Sequence, residues 1–141
     1  MPPVEQDIKD AIKTTVSGAG SGYTVVEGEY KALLNRPATK TLVGVFPSRI
    51  LVESHDPRYI ANAEFLVVCY LQDAYGNLPN TIYAAIQDIM DALYLNATLG
   101  VANVLGLFIE RVEVDLMGFS PSAAFTIHLR IRYHKAARSP S

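Results

Sequence analysis

The sequence predicts an α+β fold: a mainly antiparallel sheet of about four to five strands with two helices packed on one face, ending in a β-ribbon. Three observations predict it. Apolar and polar residues alternate from Phe125 to Tyr133, as in a half-buried strand. Apolar residues recur at helical spacing from Ile82 to Leu93, and the apolar run from Phe65 to Leu71 is typical of a strand buried on both faces.

The last third of the chain predicts the terminal antiparallel ribbon. In its second strand five residues point inward, namely Phe125, Ile127, Leu129, Ile131 and Tyr133. The first strand, from Phe108 to Leu116, is expected to alternate without interruption, with Phe108, Glu110, Val112, Val114 and Leu116 on one face. Gly, Ser and Pro between residues 117 and 122 suit a hairpin connection. Outward Glu113 and Asp115 are expected to pair with Arg130 and Arg132 across the ribbon and to set its register.

The remaining segments predict the element order α, β, β, β, α, β, β. An amphipathic helix begins at Val4 and stops at the glycine-rich segment 18–22, and a strand starts at Tyr23. Two strand segments lie on either side of Pro47, which forces an edge, a bulge or a break there. The strand from Ala63 to Leu71 is expected at the centre of the sheet, and residues 73–80 lead into the second helix.

Composition favours one globular domain that spans residues 1–141. Half of the 141 residues are hydrophobic and 18% are charged, which excludes a disordered chain. A formal net charge of −2 supplies no basic field for nucleic acid, and no sequence-specific nucleic acid binding is expected. No apolar stretch approaches the roughly 20 residues that span a bilayer, and the N-terminus has no export signal. The single cysteine, Cys69, fits a reducing compartment and a buried core position.

No catalytic, cofactor-binding or metal-binding residue is predicted. His55 and Asp56 form the nearest approach to a reactive pair, but Asp56 precedes a proline and suits a turn. His128 and His134 share the outward side of one strand about 20 Å apart, too far for a shared metal, and are expected to be solvated. Cys69 lies mid-strand, where nothing lowers the pKa of its thiol. The glycine-rich segment lacks the Lys-Ser/Thr pair of a phosphate-binding loop.

An exposed arm is predicted at residues 31–41, a polar and basic stretch without periodicity. Leu33 and Leu34 lie among basic residues there, so a neighbouring subunit could bury the leucines and leave the charges at the rim. The arm, the loop at residues 73–80 and the ribbon are therefore the predicted interface. Its candidate residues are Lys31, Leu33, Leu34, Arg36, Lys40, Tyr75, Arg130 and Arg132.

The order of elements resembles the tail terminator (tail completion) proteins of long-tailed bacteriophages over nearly the whole chain. The matching segments are Asp7 to Ile12, Ala63 to Tyr70, the helix from Ile82 to Leu93 and the strand from Phe125 to Tyr133. The resemblance implies a structural virion protein without catalytic residues. It implies a homohexameric ring that caps the finished tail tube and offers a surface to the head.

The partners that this resemblance implies are other copies of the chain, the tail tube protein and the head-tail connector proteins. The expected location is the virion tail or neck, after assembly in the host cytoplasm. Two alternatives stay open from the sequence. One is another neck or baseplate component with the same fold, and the other is a small cytosolic enzyme or ligand-binding domain that uses His55 and Asp56.

Overall fold

The computed structural model describes residues 3–19, 23–25, 41–53, 58–72, 78–116 and 122–136. In chain order the elements are α1 (Val4–Ser17), β1 (Tyr23–Val25), β2 (Thr41–Glu53), β3 (Arg58–Gln72), α2 (Leu78–Leu95), β4 (Val104–Leu116) and β5 (Ser122–Ala136). This order confirms the predicted succession of helices and strands. Helix α2 begins at Leu78, and Pro79 lies in its first turn, where a missing backbone N–H costs no hydrogen bond.

The five described strands form one sheet in the order β1-β2-β3-β5-β4. Only β1 runs parallel to its neighbour, and every other adjacent pair is antiparallel. The central strand is β3, as the apolar run predicts, and both Val67 and Val68 are buried although they point to opposite faces. The predicted α+β class and the mainly antiparallel sheet are therefore confirmed.

Pro47 lies at a bulge, one of the three outcomes that the sequence allows. Strands β2 and β3 pair along their whole length, but the register shifts between Pro47 and Arg49. Proline has no N–H to give to the ladder, so an extra residue at this point lets pairing resume. Because of the shift, Arg49 lies opposite Glu64 and Ile50 lies opposite Ala63.

Both described helices pack on the same face of the sheet, and the main core lies between them and the strands. Each helix contributes its apolar stripe. Those residues are Ile8, Ile12 and Val16 from α1 and Ile82, Ala85, Ile89 and Leu93 from α2. The predicted inward residues of β5 are all buried beneath them. Cys69 belongs to this core, and its complete burial raises the pKa of the thiol far above its ordinary value, which makes it unreactive.

A second bulge, in β4, corrects the predicted ribbon. The register shifts between Ile109 and Arg111, so Leu107, Ile109 and Val112 face the core while Phe108 points to the outer face, the face away from the helices. The expected uninterrupted alternation from Phe108 to Leu116 is therefore wrong. One extra residue, Glu110, reverses the side on which the following residues lie.

The expected pairing of Glu113 and Asp115 with Arg130 and Arg132 is also wrong. Leu116 pairs with Ala123, so the residues nearest this connection face each other. Glu113 then lies opposite Thr126, and Arg130 lies opposite Phe108 in the first half of β4. The short connection sets the register, and the charges adapt to it.

The turn after α2 holds two consecutive residues in the left-handed region. Leu99 has φ 56° and Gly100 has φ 68°. Leu99 is buried, so core packing holds its backbone in a conformation that leucine disfavours. Gly100 adopts the same region without steric cost because it has no Cβ.

Replacing Gly100 with alanine is expected to lower the free energy of unfolding by about 1–2 kcal/mol. No atom lies within 4 Å of the added Cβ, so the cost comes from the backbone alone. Gly18→Ala is the matched control, because Gly18 has φ −90° and its nearest neighbours lie at 3.7 Å. Urea unfolding of both variants measures the difference, and equal stabilities would contradict the left-handed assignment at Gly100.

Candidate interaction surface

The outer face carries a connected set of charged and polar side chains centred on Arg130 of β5. Its Nε donates to Glu110 of β4, and its Nη1 donates to Oδ1 of Asn62 on β3 at 2.8 Å. The guanidinium also lies over the ring of Phe108, with Cζ 4.2 Å from the centroid, which adds a cation–π contact. One side chain thus ties together three adjacent strands.

The same network reaches β2 through Glu53. Asn62 donates from Nδ2 to Oε1 of Glu53 at 3.0 Å, and Arg132 donates from Nη2 to Oε2 at 3.2 Å. Asn62 is only 6% exposed, and its amide bonds a carboxylate on one side and a guanidinium on the other. Because both polar ends of the buried amide are satisfied, the network stabilises the outer face instead of weakening it.

A separate ion pair joins Arg49 of β2 to Glu64 of β3, which face each other in the ladder. The hydrogen bond from the Arg49 guanidinium holds the pKa of the Glu64 carboxyl below its usual range. The Arg49 side chain stays largely in solvent while Glu64 is half-buried, and an ion pair with one exposed partner contributes modestly to stability.

His128 lies in a third cluster with Glu113 and Arg111. Nε of Arg111 lies 2.8 Å from Oε1 of Glu113, and Nε2 of His128 lies 3.4 Å from the same oxygen. That nitrogen is shielded from solvent and makes no hydrogen bond to any residue in the described ranges. The expectation that His128 is solvated is therefore wrong for its Nε2, whereas His134 is half-buried and keeps part of its surface in solvent.

The two predicted interface residues that the structure describes, Arg130 and Arg132, both belong to the outer-face network. They are half-buried, and each forms an ion pair within the subunit, Arg130 with a carboxylate of β4 and Arg132 with a carboxylate of β2. The other predicted positions, Lys31, Leu33, Leu34, Arg36, Lys40 and Tyr75, lie outside the described residues. His55 and Asp56, the candidates for the enzyme alternative, lie outside them as well.

A cavity of about 520 Å³ opens between the N-terminal end of α1 and strands β2 and β3. Three of its four charged lining residues are paired within the subunit: Glu5 accepts from Nζ of Lys135 at 3.0 Å, and Arg49 binds Glu64. Over the described ranges, no three His, Cys, Asp or Glu side chains converge as metal ligands. This lining provides cross-bracing between α1 and the sheet.

Exposed apolar side chains at the two edges of the sheet were not identified from the sequence. Strand β4 is the outermost strand on one side and exposes Leu105 and Phe108. On the other side β1 covers only the start of β2, and three consecutive residues further along, Ile50 to Val52, are exposed. The run Ile-Leu-Val at 50–52 does not alternate, and that break in period was the available signal.

No protein-family model matches this chain, and no curated protein sequence matches it. Solved structures do match. One is a chain of the virion of a native gene transfer agent (GTA) particle, with a TM-score of 0.71 and 17% sequence identity. The match covers 96% of this chain and 100% of that chain, so the two share one fold along their whole length. Neither described helix has the length and apolar character that a membrane crossing demands.

Proposed function

We propose that the protein is a structural virion component without enzymatic activity, and specifically a tail terminator that caps a phage tail tube. The observation that carries this proposal is the full-length likeness to a chain of the GTA virion. The resemblance of the sequence to tail terminator proteins supports the finer assignment. The partners are then further copies of the chain in a hexameric ring, the tail tube protein and the head-tail connector proteins.

The side-chain chemistry of the described residues supports a structural role. The charged groups on the outer face bind one another across four strands, and Arg49, Glu64, Glu110 and Arg130, which line a cavity of about 740 Å³ there, are paired among themselves. The one described thiol is buried, and burial keeps it protonated. A ring subunit must keep its shape under load from its neighbours, and a cross-braced sheet provides that stiffness. The segment 31–41 is proposed to contact a neighbouring subunit or the tube.

Deleting the gene in the host that produces the particles tests the function. Without a terminator, we expect separate full heads and uncapped tails in electron micrographs, and a plasmid copy of the wild-type gene should restore joined particles. Mass spectrometry of purified wild-type particles should detect the protein, and antibody labelling should place it where tail meets head. Labelling at the distal tip would instead support a baseplate component. Intact particles that lack the protein would contradict a virion role altogether.

A further inference from the structure

We propose that neighbouring copies join edge to edge, with the outer edge of β4 in one copy pairing with residues 48–53 of β2 in the next. This inference rests on the proposed ring and specifies how its subunits contact each other. The sheet would then continue from copy to copy, and main-chain hydrogen bonds would supply much of the contact. The proposed surface is called the edge contact below.

Strand directions suit the edge contact. Along β2, β3, β5 and β4 every neighbour is antiparallel, so β2 and β4 run in opposite directions. A copy placed beside β4 in the same orientation therefore presents β2 antiparallel to it, and the alternation of the sheet continues. Within the described ranges, no strand pairs with the outer edge of β4 or with β2 beyond Val43.

Both edges carry apolar side chains that water covers in the isolated subunit. On β2, Ile50, Leu51 and Val52 are 50%, 45% and 63% exposed. On β4, Leu105 and Phe108 are 48% and 42% exposed. Soluble proteins usually protect such edges with charge, proline or a covering segment, because free edges pair with other chains. Three consecutive exposed apolar residues on an edge therefore indicate a surface that a partner covers.

The two apolar patches, Ile50 to Val52 on β2 and Leu105 with Phe108 on β4, lie at the same level along the strands. Ile50 pairs with Ala63, Ala63 with Ile131, and Ile131 with Leu107, so one cross-strand row runs from one patch to the other. Matching the patches of two copies thus moves the second copy sideways with little shift along the strands. A head-to-tail contact closes into a ring when each copy is also rotated relative to the one before, whereas a shift along the strands at every step would build a helical filament.

Charge favours head-to-tail contact over a two-fold pairing of like edges. The second half of β4 carries three acidic residues, Glu110, Glu113 and Asp115, and one basic residue, Arg111. Pairing the β4 edges of two copies would therefore bring carboxylates together. The β2 edge instead presents Arg49, which lies on the same cross-strand row as Phe108 and has most of its side chain in solvent. The second copy therefore fits the β4 edge through its β2 edge.

Single lysine substitutions at each edge test the contact. In Leu51→Lys and Leu105→Lys, a charged side chain enters an apolar contact, so the protein concentration needed for assembly should rise about tenfold or more. Leu95→Lys is the matched control, because Leu95 is 85% exposed on α2, away from both edges, and should assemble like the wild type. Sedimentation velocity measures assembly, and circular dichroism melts verify that all three variants fold. Normal assembly of both edge variants overturns the inference.

Disulfide trapping then identifies which edges meet. Leu51→Cys and Leu105→Cys are prepared separately, mixed and oxidised, with the buried Cys69 unable to compete. Linked dimers are expected in the mixture but not in either variant alone. Efficient linking of one variant to itself overturns head-to-tail pairing. So does the absence of linked dimers together with a wild type that stays monomeric at its highest soluble concentration. The function proposed above fails separately, if purified particles lack the protein.

Discussion

Truncating Phe125 to alanine is expected to lower the free energy of unfolding by about 3–5 kcal/mol. Phe125 is 1% exposed and lies on the core face of β5, between its cross-strand partners Cys69 on β3 and Val114 on β4. Removal of the ring leaves a cavity that strands held by hydrogen bonds on both sides cannot close. Since a domain of this size is stable by only about 5–15 kcal/mol, the loss should be large.

Phe108→Ala is the matched control for this experiment. Phe108 has the same side chain, but it is 42% exposed on the outer face at the edge of the sheet. Its truncation removes a partly solvated surface and the contact with Arg130, with an expected cost of about 1 kcal/mol. Urea unfolding at neutral pH compares the two variants. Equal costs would contradict the assignment of Phe125 to the inner face.

Helices and strands could be predicted from the sequence where only one face of the element packs on the core. In β5 every second residue from Phe125 to Tyr133 is buried, and in α2 the stripe that includes Ile82 and Ile89 is buried. Each pattern reports directly which side of the element leaves water. The central position of β3 could be predicted for a related reason, since both faces of its apolar run are covered.

Register could not be predicted, because a bulge adds one residue without changing the composition. Glu110 and the bulge at residues 47–49 each shift the ladder by one position. The contact of Arg130 with Glu110 depends on the shift in β4, and its contact with Asn62 depends on the pairing of β3 with β5 across nearly seventy residues of sequence. Local periodicity carries no information on either feature.

The position of each strand within the sheet was also beyond the sequence pattern. Leu105 and Leu107 are both apolar residues of β4, yet Leu105 is exposed and Leu107 is buried. The difference arises because β4 is an outer strand that begins with an irregular register between Val104 and Gly106. The predicted interface therefore named residues by charge and loop position, and it omitted the apolar sheet edges.

Replacing Arg130 with methionine is expected to lower the free energy of unfolding by about 1–3 kcal/mol. Methionine keeps much of the packing volume but removes the donors to Glu110 and Asn62 and the cation over Phe108. The main cost comes from Oδ1 of Asn62, which is buried and loses its donor. Urea unfolding measures the loss. Arg111→Met is the control, because its ion pair with Glu113 is exposed and should contribute less than about 1 kcal/mol.

A double-mutant cycle separates the Arg130–Asn62 interaction from packing. Asn62→Leu alone leaves Arg130 and Glu53 each without one hydrogen-bond partner, whereas the double variant Asn62→Leu with Arg130→Met no longer buries an amide that lacks its donor. The double variant should therefore be more stable than the sum of the single losses predicts, by about 0.5–3 kcal/mol. Losses that add within about 0.5 kcal/mol would show that the two side chains stabilise the outer face independently. Coupling of the expected size would instead establish the network as one cross-strand brace, anchored at the buried Asn62.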